Sequence, residues 1–425
     1  MLDPKIIREQ PDLVRAGLVK KHSDTQLVDR FLELDTKRRN LQAKVEQLQA
    51  ELNQASEEMA AAAPEEREVK RASLRELSEK VKTGNAELTE LEAETLLIHR
   101  QIPNIPSVGV PEGASDKENV VIKTVGEKPQ FDFVPKDHEE LARSLNLLDT
   151  ERAAKVAGAK FYYLKNELVI LEQAVLRFAL DTMREKGFNL LTVPHMARAD
   201  AFYGAGHFST PEDAVDGDAY QIERDNLYLA GTAEVGLINY HAGETMQEAD
   251  LPLRYAGISP CYRRESGTYG KETRGLYRVH QFNKVEMISL VNPEDSEKEH
   301  EMLLAIAEEL LQKLGLSYQV VLNCGGDLGH PQAKKFDIET WLPGMQKYGE
   351  THSCSNDTDW QARSLGIKAK NAESKYFVHT LNNTVLASPR ILVAILENYQ
   401  ESDGSVRIPD VLLPYTGFKS ITRSL

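Results

Sequence analysis

The sequence predicts an α+β protein, with a long N-terminal antiparallel helical coiled coil followed by a domain built on a mostly antiparallel sheet flanked by helices. Three observations predict it. Apolar residues recur at 4,3 spacing from Leu27 to Ala62 and again from Leu74 to Ile98. Strand-like runs fill the C-terminal two-thirds without a regular βαβ rhythm. One of these runs, Leu276 to Leu290, carries Arg278, His280, Phe282, Lys284 and Glu286 at every second position, so one strand face would show three cations or imidazoles, a ring and a carboxylate.

The bulk properties set limits. A chain of 425 residues can bury a large core and hold more than one domain. Its 41% hydrophobic and 28% charged content suit a soluble globular protein. Cys261, Cys324 and Cys354 are far apart, which argues against a disulfide framework and against zinc, and fits a reducing cytoplasm. No segment approaches a membrane span. The opening Met1-Leu2-Asp3-Pro4 has early acid and no apolar stretch, so neither a secretory signal nor a transit peptide is expected. With 66 Asp and Glu against 51 Lys and Arg, the net charge of −15 disfavours general nucleic-acid binding. Any RNA partner must be held by local basic patches.

The first seam runs through Leu27, Phe31, Leu34, Leu41, Val45, Leu48, Leu52, Ala55, Met59 and Ala62, with Arg38 its one interruption. Pro64, Glu65 and Glu66 read as a break and the start of a second helix. The second seam is Leu74, Leu77, Val81, Leu88, Leu91 and Ile98, with Gly84 and Thr95 as weak positions. Two helices of roughly 36 residues, each about 54 Å long, joined by a tight break, fold as an antiparallel hairpin. Such a hairpin has no globular core. It projects, dimerises or grips something. Lys37, Arg38, Arg39 and Lys44 on one helix, and Arg67, Lys70, Arg71, Arg75, Lys80 and Lys82 on the other, permit RNA contact. Acids mixed among them fit a solvated dimerisation rod equally well. The expected division is an N-terminal domain over 1–100 with its arm at about 27–100, a Pro- and Gly-broken linker with short strand-like pieces over 101–136, and a compact domain over 137–425. Helices are expected near 138–148, 166–186, 294–314 and 388–400.

Four clusters carry chemistry. The stripe just described has a natural partner in a flat, multiply anionic ligand such as a nucleotide, because it is costly to bury without one. Ahead of it, Arg263 and Glu265 share a face: a guanidinium fork suits phosphate, and the carboxylate can accept from an exocyclic amine. The intervening loop, Ser266 to Gly275, reads as a mobile contact for a second substrate. In Gly231-Thr232-Ala233-Glu234, a hydroxyl and a carboxylate two apart could hold an ammonium group, although a helix N-cap reads the same way. Glu350-Thr351-His352-Ser353 offers hard oxygen ligands of the kind Mg²⁺ takes together with phosphates, or simply a polar turn after a strand. Arg390 stands in the first turn of a nearly all-apolar helix, where the dipole disfavours a cation, so an anionic partner is expected. Gly325-Gly326-Asp327-Leu328-Gly329 lacks the Gly-Lys-Ser/Thr ending of a phosphate loop and reads as a turn.

Taken together, these residues resemble the bacterial-type seryl-tRNA synthetases, class II aminoacyl-tRNA synthetases, over essentially the whole length. Phe188 to Pro194 resembles class II motif 1, Arg254 to Glu286 motif 2, and Thr384 to Glu397 motif 3. The resemblance implies a cytoplasmic homodimer with a class II catalytic domain, ATP and Mg²⁺ as requirements, and L-serine, tRNA(Ser) and tRNA(Sec) as partners. It implies a serine site of Thr232, Ala233, Glu234, Arg263, Glu286 and Thr384. It implies an ATP site of Arg263, Arg264, Glu265, Val279, Phe282, Glu350, Thr351, His352, Ser353 and Arg390. Arg263, Glu265 and Arg390 would be catalytic, and Glu350 and Ser353 would hold Mg²⁺. The coiled coil would grip the long variable arm of the tRNA. The chain departs from the family in His352, where many members carry a small hydroxyl residue, and in Ala-Ser-Pro ahead of Arg390 in place of a glycine-containing form. A carrier-protein aminoacyl ligase of the same fold and a non-catalytic paralogue are the alternatives. The long arm argues against the first. The presence of Arg263, Glu265, Glu286, Glu350 and Arg390 argues against the second.

Overall fold

The structure, a computed structural model, describes residues 1–63, 67–265 and 275–423. The expected helix break at Pro64 to Glu66 and the loop at 266–274 lie outside the described residues. The chain forms two compact units. One comprises Leu2–Val19 and Ser23–Pro103; the other comprises Met1, Lys20–His22 and everything from Asn104 onward.

The first unit holds helices α1 (Pro4–Glu9), α2 (Pro11–Lys20), α3 (Gln26–Ala61) and α4 (Arg67–Gln101). Asp3 caps α1 by accepting from the Lys5 amide at 2.8 Å. The long helices α3 and α4 pack along the two predicted seams, burying Leu27, Phe31, Val45, Val81 and Ile98. The interruptions have local solutions. Arg38 turns to Asp35 (2.8 Å) and Gln42 (3.1 Å), and Asp35 also accepts from Arg8 at 3.1 Å. The Thr95 hydroxyl donates back to the Leu91 carbonyl at 2.6 Å, so it is buried without an unpaired polar group. The helices approach closely at Gly84: a Cβ there would stand 2.8 Å from a Val45 methyl carbon.

The second unit is organised by an eight-stranded sheet. Its strands are β1 (Val120–Val125), β2 (Asn189–Thr192), β3 (Leu253–Tyr262), β4 (Gln281–Val291), β5 (Tyr318–Leu322), β6 (Lys334–Leu342), β7 (Lys347–Asn356) and β8 (His379–Ala387), in the spatial order β1-β5-β6-β7-β8-β4-β3-β2. Every pairing is antiparallel except β2 with β3, as a mostly antiparallel class predicts. Strand β1 falls inside the stretch read as a linker. Its ladder with β5 draws that stretch into the sheet.

Helices α5 (His138–Ser144), α6 (Thr150–Ala157), α7 (Glu167–Glu185), α8 (Glu234–Ile238), α9 (Ser296–Lys313) and α10 (Ser388–Asn398) complete what the site needs. In α7, Leu168, Leu171, Val175, Phe178 and Ala179 are buried at i, i+3, i+4 spacing. They pack in one core with Val285 and Met287 of β4, Leu386 of β8, and Ile391 and Leu392 of α10. Burying each such side chain is worth roughly 1.5–3 kcal/mol. Helix α10 is buried from Ile391 to Leu396 on all sides. That fixes the orientation of its first turn, and with it Arg390.

Candidate active site

One open cleft lies over the middle strands of the sheet, lined by convergent polar and charged side chains, as small-molecule sites are. The ladder builds its floor. Glu286 of β4 is paired in register with Thr384 of β8, just past a bulge at Val285/Glu286. Lys284 and Phe282 follow on the same face, so the alternation expected from Phe282 onward is real. The strand begins only at Gln281. Before it, Arg278 and His280 lie in irregular chain, a correction to the predicted strand from Leu276. Arg278 still lines the cleft, whereas His280 hydrogen-bonds through Nδ1 with the Arg263 carbonyl oxygen at 2.9 Å.

The wall is built from the turn before α8. The Tyr262 amide donates to the Ala230 carbonyl at 3.0 Å and Arg263 Nε donates to the Gly231 carbonyl at 3.2 Å, which brings Thr232 and Glu234 beside the end of β3. The helix N-cap is Ala233, not Thr232; the Thr232 hydroxyl, one residue earlier, accepts from the Glu234 amide at 3.2 Å and lines the cleft. Glu234 is held by Gln361 (2.8 Å) and Asn382 (3.2 Å), with His207 at 3.6 Å. Burial alone would raise its pKa, but the His207 ring, Gln361 and Lys284 outweigh that and hold it below the ordinary carboxylate value.

Most cations here already face carboxylates. Arg278 contacts Glu265 at 2.5 Å. Lys284 forms a buried ion pair with Glu286. Arg390 donates to the Glu350 carbonyl at 2.8 Å, stands 3.4 Å from its carboxylate, and lies 5.0 Å over the Tyr277 ring. The anionic partner expected of Arg390 is therefore Glu350. Burial pushes the Glu286 pKa up, only partly offset by Lys284. Burial also acts on Glu350, but Arg390, Lys335 and Arg263 overcome it and keep that carboxyl low. Arg263 lies 5.3 Å over the Phe282 ring.

Helix α10 is anchored at its start. The Ser388 hydroxyl donates to buried Glu172 of α7 at 2.7 Å, and Asn283 of β4 donates to the same oxygen at 3.1 Å. The Ala-Ser-Pro departure thus supplies a hydroxyl that ties the Arg390 turn to the sheet.

Of the predicted site residues, Thr232, Glu234, Arg263, Glu265, Val279 and Phe282 line the cleft. So do Glu286, Glu350, Thr351, Ser353, Thr384 and Arg390. Three do not. Ala233 is wholly buried in a separate apolar cluster. Arg264 turns outward, donating from Nε to the Ala219 carbonyl at 3.2 Å over the Tyr220 ring. His352 points to the opposite sheet face, its Nε2 and Nδ1 bonded to the Val385 carbonyl (3.0 Å) and the Thr351 hydroxyl (2.9 Å). A register shift opposite Ile338/Glu339 lets both Glu350 and Thr351 reach the cleft. Glu350 to Asn356 is strand β7, not a turn. His207, Tyr277, Gln332, Ser355 and Asn382 also line the cleft and were not predicted. Asn382 and Ser355 had a signal: each is two positions from a predicted residue on the same strand face. His207 had none.

The buried imidazoles predict acid lability. His300 and His352 both have pKa values pushed down to about 4 by burial, below the unfolded value. Between about pH 6.5 and 4 the unfolded chain takes up protons that the folded chain does not, so stability falls as pH falls, by on the order of 3 kcal/mol for each ring. Asp337, raised to about 6 chiefly by burial, works in the opposite sense and partly offsets this. The urea midpoint should therefore drop across that window. His352→Thr should flatten the slope, and an unchanged slope would contradict the assignment.

Comparison with known proteins agrees with this geometry. Residues 1–106 match the family model for the seryl-tRNA synthetase N-terminal domain, and residues 219–399 match that for the tRNA synthetase class II core domain (G, H, P, S and T). The serine--tRNA ligase of Dictyoglomus turgidum is 44% identical over 99% of both chains. The chain belongs to the seryl-tRNA synthetase family. Membership of the seryl-tRNA synthetases extends across distant relatives: that of Nitrosopumilus maritimus is 40% identical over 98% of this chain and 99% of its own. The crystal structure of the Pyrococcus horikoshii seryl-tRNA synthetase complexed with ATP superposes with a TM-score of 0.91, at 41% identity, over the full length of both chains. Among the described residues, no group of three or more His, Cys, Asp or Glu is placed to hold a metal ion. No described helix is long and apolar enough to cross a membrane.

Proposed function

We propose that the chain is a serine–tRNA ligase that makes seryl-adenylate from L-serine and ATP in this cleft and then transfers the seryl group to tRNA(Ser). The observation that carries the reading is the register of Glu286 with Thr384 beside Thr232 and Glu234. These four groups enclose a small polar subsite next to a cation-lined trough. Glu234 and Thr232 hold the serine ammonium, and Glu286 and Thr384 meet its hydroxyl. Arg263 takes the serine carboxylate and the α-phosphate, Glu265 accepts from the adenine amine, and Phe282 stacks on the ring. Val279 lines the nucleotide pocket and Arg390 holds the far phosphates.

A serine carboxylate oxygen attacks the α-phosphorus in line and pyrophosphate leaves. The terminal ribose hydroxyl of the tRNA then attacks the acyl carbon and AMP leaves. The first step needs alignment and charge neutralisation more than proton transfer, which suits a site of guanidinium groups and carboxylates. Glu350 and Ser353 fit Mg²⁺: both are oxygen donors on one cleft wall, and neighbouring cations keep Glu350 ionised. When bound, Mg²⁺ would neutralise phosphate charge there.

The arm is read as the grip on the tRNA variable arm, supported by exposed Lys44, Arg71, Arg75 and Lys82. A homodimer is part of the proposal, supported by exposed Val169 and Ile170 on α7 and Leu190 on β2, as is a cytoplasmic site of action. Charging of tRNA(Sec) follows from the same resemblance.

The test is ATP–pyrophosphate exchange and charging, each with and without tRNA. Serine should drive exchange without tRNA, and charging should need tRNA(Ser), with tRNA(Sec) run alongside. Exchange without charging would favour a carrier-protein ligase. Neither activity would favour a scaffold paralogue.

A further inference from the structure

Tyr277, Arg278 and Val279 face the cleft, yet no strand ladder holds the chain that bears them. One support is a buried imidazole outside the cleft. The Leu276 amide donates to His138 Nε2 at 3.1 Å. A backbone N–H can only donate, so Nε2 is the acceptor and the ring proton sits on Nδ1. Nδ1 is 3.0 Å from Glu397 Oε1. The same oxygen accepts from the His138 amide at 3.1 Å, and Oε2 accepts from the Gly344 amide at 2.8 Å. The Glu397 side chain is wholly buried and accepts from three donors, so it fixes both the tautomer and the angle of the ring.

The chain has been shaped to meet that ring. Gly275 has φ +61°, a conformation that suits glycine, and a Cβ there would lie 2.3 Å from His138 Nε2. Directly after Leu276, the Tyr277 ring underlies Arg390 and Arg278 pairs with Glu265. At the far end, the His280 amide is tied to the Lys160 carbonyl at 3.1 Å. The cleft-facing residues thus hang between two anchors.

We propose that His138, locked by Glu397, is a positioning residue for ATP: its hold on the Leu276 amide sets where Tyr277, Arg278 and Val279 stand against the nucleotide. The inference rests on the reading of the cleft as an ATP and serine site. His138 and Glu397 themselves do not line the cleft. Their loss should therefore weaken the nucleotide side and spare the serine side, whose ammonium and hydroxyl partners come from β4, β8 and the start of α8 with the turn before it.

The experiment compares the full chain with His138→Phe, which fills the space but cannot accept, and His138→Gln, which retains an acceptor. Leaving one buried amide unpaired should raise the KM for ATP in exchange by about tenfold in His138→Phe. The KM for serine should stay within about twofold, and His138→Gln should return the ATP KM most of the way. Calorimetric ATP binding should follow the same order without turnover. Wild-type ATP binding in His138→Phe, or an equal rise of both KM values, would overturn the proposal. If His138→Phe does not fold, Gly275→Ala presses on the same ring, and unchanged ATP affinity there would overturn it equally. A wild-type chain that binds ATP but activates no serine would instead sink the functional reading.

Discussion

Removing residues 30–98 should leave serine-dependent ATP–pyrophosphate exchange within about threefold of the full chain and reduce charging of tRNA(Ser) by roughly 10³-fold or more. The cleft residues run from His207 to Arg390, all in the second unit, so adenylate formation asks nothing of the removed helices. The cut is sterically feasible. Near its ends α3 and α4 lie side by side, with the Phe31 and His99 rings 4.9 Å apart, so a short glycine turn can join residue 29 to residue 99. Transfer is different, because a net charge of −15 gives the chain no general attraction for RNA. Losing a local basic surface then removes contacts with nothing in reserve, and the residual charging should depend less steeply on salt than that of the full chain, because fewer phosphates are neutralised. Charging that survives the deletion at near the full rate would mean that the arm does not grip the tRNA.

Replacing Glu286 by alanine should lower kcat/KM for serine in the exchange reaction by about 10³-fold while moving the KM for ATP little. Two effects combine. A site built to bond a substrate hydroxyl loses that bond, and discrimination against alanine should collapse with it. The Lys284 ammonium also loses its carboxylate inside a buried pair, which typically costs about 3–5 kcal/mol. Glu286→Gln separates the two, because it keeps a hydroxyl partner while removing the charge. It should retain more activity than alanine at equal or lower stability. A melting curve alongside the kinetics distinguishes misfolding from a lost contact, and near wild-type exchange in folded Glu286→Ala would refute the role.

The sequence made much of this site legible because polar residues on a buried strand face are costly and therefore conspicuous. Phe282, Lys284 and Glu286 show that face directly. The same alternation misled at Arg278 and His280, because there the backbone bonds to His138 and Lys160 rather than to a ladder. His352 failed for a related reason: it alternates with Thr351 and Ser353, so it had to face away, but the register shift that lets Glu350 in is invisible without the partner strand. Arg264 lies just past the end of β3, where its amide bonds the Asp218 carbonyl and its side chain the Ala219 carbonyl, so its direction depends on tertiary contacts. His207 comes from a loop whose approach to Glu234 depends on tertiary packing alone. Strand β1, with the β-branched run Val120-Val121-Ile122, is one of the short strand-like pieces of the linker, but prolines and glycines on both sides and its largely exposed side chains gave no sign that it joins the main sheet.

The matched pairs across the cleft have a consequence for how ligands enter. Glu265 with Arg278, Glu286 with Lys284, and Glu350 with Arg390 match three cations of the cleft with three carboxylates. A polyphosphate or a zwitterion arriving there does not simply add charge; it exchanges places with an internal counterion. An anion that brings no matching positive group is opposed by the carboxylates it displaces, so phosphate and other small anions gain little from entering the cleft alone.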